Sequence, residues 1–307
     1  MDLAQFLTAS RVLIVAGKGG VGKSTVAQTV ASVAAEAGLS VLLVRIGALA
    51  NHNAPVGHDT LNRAEATSSD PATDSVKHLT LEPGAALSEY LSGRGLGIVT
   101  RQLSALGIVD VVASAAPGID DLLILGKIKQ LARDGQQDLL VVDGPPAGQA
   151  LSLLRAPMSL GRAVMAGPIR QQADDVRHML ADATACRLML VTTPEVTPVT
   201  ELVDTAFDLE DELGVHLSPI VVNKFDQDTL PATPDELRNA CRSDTQRAAL
   251  EYRLTRRDRQ VTALEELRQR VPLQRIILPD TSVTQHSVDL LRRSFVDAVK
   301  MLSGDAG

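Results

Sequence analysis

The chain has 307 residues, 45% of them hydrophobic, which is enough to bury the core of one large α/β domain. Its 37 acidic side chains outnumber 30 basic ones for a net charge of -7, and it carries no Trp, two Tyr and four Phe. An acidic chain so poor in aromatics offers neither counter-charge for a phosphodiester backbone nor platforms for base stacking, so no nucleic-acid partner is expected. Short apolar runs alternate with helical patterns almost throughout, the signature of an α/β, doubly wound, mostly parallel sheet. Strands are predicted at 11–16, 40–46, 76–81, 137–143, 187–192, 217–223 and 273–278. Helices are predicted at 24–37, 84–92, 119–133, 148–156, 171–181, 198–213, 235–269 and 284–302. Within a single domain over 1–307, the polar stretch 47–75 reads as a mobile switch loop, and 82–135 with 157–181 as a helical subdomain inserted above the sheet. The start, MDLAQFLTAS, has no basic segment leading into a long apolar one, and no run approaches the ~20 apolar residues of a membrane span, so a soluble, cytoplasmic protein is expected. Cys186 and Cys241 make no C-x-x-C pair, so neither zinc nor an iron–sulfur cluster is expected.

Residues 17–24 read GKGGVGKS and fit G-x-x-x-x-G-K-[ST], a glycine-rich turn whose backbone N–H groups can wrap a polyphosphate. An apolar strand candidate precedes the octet and a helical pattern with Val26, Val30, Val33 and Ala34 follows it, the order an anion site at a helix N-terminus requires. Gly17, Gly19, Gly20, Val21 and Gly22 would supply backbone, Lys23 would reach the β- and γ-phosphates, and Ser24, beside Thr25, would sit on Mg²⁺. A second lysine, Lys18, follows the first glycine, where a phosphate loop needs no cation. It starts on the outer side of the loop, placed to cross a subunit boundary.

Downstream, LLVVDGPPAGQALSLL (139–154) is an apolar strand ending in an acid, then a glycine–proline turn, then a helix. Asp143 stands where a carboxylate can hold Mg²⁺ through water. PIVVNKFD (219–226) ends a strand in Asn223, whose amide can read an adenine edge with donor and acceptor together. Pro279 and Asp280 follow the last strand, where ligands of open α/β sheets bind, and are weaker candidates for a base or ribose contact.

The form G-K-G-G-x-G-K-[ST] resembles the deviant Walker A loop of dimeric ATPases. Together with A-P-G-I-D-D at 116–121, V-D-G-P-P-A-G at 142–148 and V-V-N-K at 221–224, it resembles the arsenite-pump and tail-anchored-protein-targeting ATPase family. The likeness is closest to single-domain actinobacterial members, which share A-A-L-x-E-Y-L (85–91) and G-P-I-x-x-Q-A-D-D (167–175). The resemblance implies a P-loop ATPase that binds ATP, ADP and Mg²⁺ between two subunits. Lys18, Lys23 and Asp143 would serve catalysis, and switch segments would move a helical surface that binds a protein client. The dimer is either a homodimer or a heterodimer with a paralogous chain. In the arsenite and targeting branches the second strand runs into an Asp-Pro-Ala switch, whereas VRIGALANH (44–52) has Gly47 at the acid's place and no carboxylate before Asp59. Turnover is therefore expected to be weak, or to depend on a paralogue with an intact switch. The family's C-x-x-C and metalloid cysteine cluster are absent, which argues against a metalloid cargo. Two rivals stand beside this reading: a non-catalytic nucleotide-sensing subunit, and a spatial regulator of the partition or division-site type.

Overall fold

A computed structural model describes residues 2–47, 75–82, 118–227, 230–281 and 287–304. A short helix α1 (Leu3–Leu7), capped by Asp2, leads into β1 (Val12–Gly17), α2 (Lys23–Glu36), β2 (Val41–Ile46) and β3 (Val76–Leu81). Then follow α3 (Ile119–Asp134), β4 (Leu139–Pro146), α4 (Ala147–Ala163), α5 (Pro168–Ala181), β5 (Cys186–Thr192) and α6 (Val196–Phe207). A π-helical turn (Asp208–Glu212), β6 (Ile220–Phe225), α7 (Pro234–Ala240), α8 (Asp244–Arg270), β7 (Arg275–Pro279) and α9 (Ser287–Gly304) complete the order.

The seven strands lie in the order β3-β2-β4-β1-β5-β6-β7, and every pairing is parallel. Parallel strands joined by helices are covered on both faces, which is why β1 is buried along its whole length. Side chains alternate between two cores. Val12, Ile14 and Ala16 of β1 pack with α3, α4, α5, α6 and α8, whereas Leu13 and Val15 pack with α1, α2 and α9. Ala27, Ala31 and Ala34 of α2 are fully buried, and their small size lets that helix lie close against the sheet. After β1 the chain winds outward through β2 and β3 on one side, and after β4 through β5, β6 and β7 on the other. Such a reversal opens a crevice at the C-terminal strand ends, here beside β1.

The expected α/β architecture is therefore present, with all described strands parallel. Several boundaries differ from the sequence expectation. The helix predicted at 148–156 runs from Ala147 to Ala163 straight through Pro157, which is buried, as are Leu153, Leu154 and Leu160 of the same helix. The helix predicted over 235–269 is two, because Cys241 turns extended and the Ser243 side chain caps a fresh start by accepting from the Gln246 N–H at 3.2 Å. β4 reaches Pro146 rather than Asp143. Of the expected helical subdomain, 118–135 and 157–181 contribute α3, the end of α4, and α5; residues 83–117 and the 48–74 part of the switch segment lie outside the described residues.

Phe295 of α9 is fully buried and meets Phe6 edge-on, with ring centroids 6.0 Å apart, tying the N-terminal helix to the last one. Phe295→Ala should destabilise the fold by about 3–5 kcal/mol through lost transfer energy and the cavity left behind. Urea unfolding would show this as a lower midpoint at an unchanged slope.

Candidate functional site

β1 ends at Gly17, where any Cβ would overlap the carbonyl oxygen of Val191 on β5. The loop then runs through Lys18 to Gly22, whose backbone is left-handed (φ 94°) and whose missing side chain leaves room for the Asn223 amide. Four carbonyls along this loop are tied inward. Lys18 O accepts from Lys23 Nζ (3.2 Å), Gly20 O from Lys224 Nζ (3.1 Å), Val21 O from Asn223 Nδ2 (2.9 Å), and Gly22 O from the N–H of Val26 (2.9 Å). In a trans peptide the following N–H points the opposite way, so the amides of Gly19, Val21, Gly22 and Lys23 face away from these donors. Exposed Gly19 and Gly20 carry no side chain in front of them, and a Cβ on either would meet nothing within 4 Å. The result is an outward-facing nest of N–H groups running into the N-terminus of α2, the geometry that takes an anion.

The residues beneath the loop are positioned at a strained bend. Lys224 has φ 63°, a left-handed conformation for a residue with a side chain, and the register between β6 and β7 shifts over Val222–Phe225. Such strain costs of order 1–3 kcal/mol and persists only where surroundings enforce it. Here Gln260 of α8, 2% exposed, enforces it: its Oε1 accepts from the Asp226 N–H (3.0 Å) and its Nε2 donates to Lys224 O (3.3 Å). Arg253 grips Asp226 with two hydrogen bonds and Arg256 reaches Asp280 at 2.8 Å, pinning α8 across the ends of β6 and β7.

Asp143 is nearly buried within β4, just before the point where two residues, Gly144 and Pro145, oppose Ala16 of β1. A bulge of this kind re-aims a strand end. Arg45 of β2 is in register with Asp143, and its Nε lies 3.6 Å from Oδ2. Burial pushes the Lys23 ammonium below its ordinary value, opposed by the Asp143 carboxylate. The charged form of Lys23 thus opposes folding: the stability linked to this group is complete above the unfolded pKa and is lost as pH falls through the lower folded one. A bound anion would offset that burden. Burial, then the Arg45 charge, likewise hold His78 of β3 below the usual imidazole value.

The remaining sequence candidates take varied positions. Ser24 and Thr25 are exposed on the first turn of α2, with Ser24 one residue beyond Lys23. Lys18 meets Glu201 of α6 at 2.6 Å, an intramolecular ion pair between half-exposed groups. Asn223 is 3% exposed and directs its amide nitrogen into the loop. Pro279 ends β7 opposite Phe225, and the Asp280 N–H donates to Phe225 O, so both lie at the same edge as Asn223. Gly47 donates its N–H to Leu81 O, and Glu82 borders it, with its Cγ 3.5 Å from where a Gly47 Cβ would stand. Arg45, Glu201, Lys224 and Gln260 were not singled out by sequence reasoning. Arg45 carried a signal as a lone charge ending the apolar run VLLV, and Lys224 only as the last residue of the V-V-N-K motif.

The Ser24 hydroxyl and Asp143 carboxylate are hard oxygen donors of the kind Mg²⁺ takes. Among the described residues no group of three or more His, Cys, Asp or Glu could hold a metal ion, so a Mg²⁺ here would draw its other ligands from phosphate and water. No described helix is long and apolar enough to cross a membrane.

The profile of the anion-transporting ATPases matches residues 10–172, which run from just before β1 to α5 and so contain the loop and Asp143. The chain belongs to the anion-transporting ATPase family. It is similar to ATPase BagA of Mycobacterium tuberculosis, at 31% identity over 231 residues, 71% of this chain and 66% of the relative. It is also similar to ATPase ARSA1 of Chlamydomonas reinhardtii (23% over 292 residues, 78% of this chain and 37% of the relative). ATPase GET3 of Chaetomium globosum is 26% identical over 155 residues, 50% of this chain and 45% of the relative. The chain thus spans about two thirds of the mycobacterial relative and less than half of the other two. The arsenite-pump and targeting family expected from the motifs is the family found, with an actinobacterial protein among its relatives.

Asn223→Ala should leave the Val21 carbonyl without its donor, a loss of about 1–3 kcal/mol, and speed amide exchange across 19–23. Removing the neighbouring charge in Arg45→Gln should raise the His78 titration midpoint, read by NMR. Because the folded pKa of His78 is depressed, its contribution to stability is present above about pH 6.5 and lost as pH falls through the folded value.

Proposed function

We propose that this protein is a dimeric ATPase that binds Mg–ATP on loop 17–25 and uses binding, with slow hydrolysis, to switch a helical surface for a protein partner. The observation that carries the reading is the loop itself, with carbonyls tied in, amides turned out and a desolvated Lys23 facing Asp143. Membership in a family of ATPases supports it. In this reading Gly17–Gly22 and Lys23 cradle the phosphates, Ser24 and Thr25 begin the helix beneath them, and the edge of Asn223 and Pro279 lies towards the base. Bound Mg²⁺, held by Ser24 and through water by Asp143, would neutralise phosphate charge. Transfer of a phosphoryl group to water depends mainly on positioning and charge stabilisation, so a loop without a switch carboxylate at Gly47 binds well and turns over slowly.

Lys18 serves the phosphates of a facing subunit, and its pair with Glu201 is the contact that assembly must open. Exposed pairs are worth about 0–1 kcal/mol, so the cost is small against a triphosphate contact. The second reading, a nucleotide-sensing subunit paired with a catalytic paralogue, draws on the same Gly47.

Calorimetry with Mg–ATP should show binding by the wild type and none by Lys23→Ala. Lys18→Ala should bind ATP yet stay monomeric in light scattering with ATP, whereas Glu201→Gln should dimerise at lower ATP concentration. Steady-state turnover by the purified chain alone should be slow; fast turnover without a partner would overturn that part of the reading, and absence of any binding heat would overturn all of it.

A further inference from the structure

We propose that Arg45 is a phosphate-binding residue that grips the terminal phosphoryl group and so sets a preference for nucleoside triphosphate over diphosphate; this rests on the nucleotide reading above. The argument begins with alternation along β2. Val41 and Leu43 lie in the core on the α2 side and Leu42 and Val44 in the other, so Arg45 emerges on the α2 side. The same alternation on β4, with Leu139 and Val141 on the α2 side, brings Asp143 out beside it. The two residues are in register on neighbouring strands, at the end of the sheet where the loop and the N-terminus of α2 lie.

Burial separates their roles. The Asp143 side chain is 7% exposed and forms the floor, whereas Arg45 is 56% exposed and stands at the mouth. Their 3.6 Å separation is an ion pair too long for a hydrogen bond, so this contact leaves the guanidinium's donors unused by Asp143 Oδ2. A planar guanidinium with donors to spare matches a phosphoryl group, which it can hold through two parallel N–H···O bonds. Charge points the same way. Lys23 and Arg45 both act on the single Asp143 carboxylate, leaving a net positive corner that an anion would complete.

Position then selects which phosphate is held. β2 is two strands from β1, about 10 Å sideways from the end of the loop strand. A polyphosphate running from the loop past Lys23 and Asp143 meets Arg45 last. Arg45 then exchanges its carboxylate partner for phosphate oxygens.

The test is calorimetric titration of ATP and ADP into wild type, Arg45→Gln, Arg45→Lys and Lys23→Ala, each with Mg²⁺ and again in EDTA. Arg45→Gln should weaken ATP by about tenfold or more, the scale of a charge-assisted hydrogen bond, and ADP by less than about twofold. The loss should persist in EDTA, and Arg45→Lys should recover only part of the ATP affinity, because an ammonium keeps the charge but not the two parallel hydrogen bonds. Unchanged affinity for both nucleotides in Arg45→Gln, or equal weakening of both, would overturn the assignment, the second because Arg45 would then act only by holding Asp143. If Lys23→Ala loses both nucleotides while Arg45→Gln behaves as wild type, Arg45 alone is excluded. If Lys23→Ala binds both as tightly as wild type, the phosphate-loop reading falls and this assignment with it.

Discussion

The direction of four peptide planes governs everything at the crevice. A glycine-rich loop can point its carbonyls or its amides at solvent, and flexible glycines alone choose neither. Here side-chain nitrogens of Lys23, Lys224 and Asn223, with the first helical hydrogen bond of α2, draw the carbonyls of Lys18, Gly20, Val21 and Gly22 inward. The amides are left outward. Two of the three side chains come from β6, 202 and 204 residues further along the chain, so the loop takes its shape only when the sheet has closed on that side.

That dependence gives the far half of the molecule a role in the chemistry of the near half. Lys224 can reach Gly20 only because its backbone adopts a left-handed bend, and Gln260 with the Arg253–Asp226 pair holds the bend in place. The long helix α8, exposed over its first turns, is therefore anchored where it matters. Two of its basic residues, Arg253 and Arg256, clamp the acids that follow β6 and β7.

Electrostatics complete the site by leaving it short of negative charge. A buried carboxylate, Asp143, sits between an ammonium that burial disfavours and a guanidinium that faces outward. On the opposite side of the loop Lys18 rests against Glu201. Both arrangements are those of a protein waiting for an anion: these cations are held by weak or replaceable partners rather than by a strong buried pair. The matched family profile covers the loop, Arg45 and Asp143 and ends within α5.

The sequence by itself determined the alternation of strands and helices, the phosphate-loop pattern and its place after the first strand. These signals are local: apolar period, glycine spacing and a cap lie within a few residues of one another. It also singled out Asp143 as the carboxylate closing an apolar run, a group too costly to bury without a partner; the strand itself continues to Pro146, with Asp143 nearly buried inside it beside Arg45. Where local signals competed, tertiary packing decided at Pro157, which a buried face carries through a helix, whereas at Ser243 a local cap starts a new one. The partners of the loop could not be read in the same way. Asn223 read as a group facing a base, and its amide nitrogen also holds Val21; Lys224 stood in the V-V-N-K motif, but nothing local showed that it would reach Gly20. Likewise Arg45 meets Asp143 through strand register between β2 and β4, elements with β3 and α3 between them in the chain. Which side chains share one end of a parallel sheet is a property of strand order, and strand order is set by packing across the whole domain rather than by any segment of it.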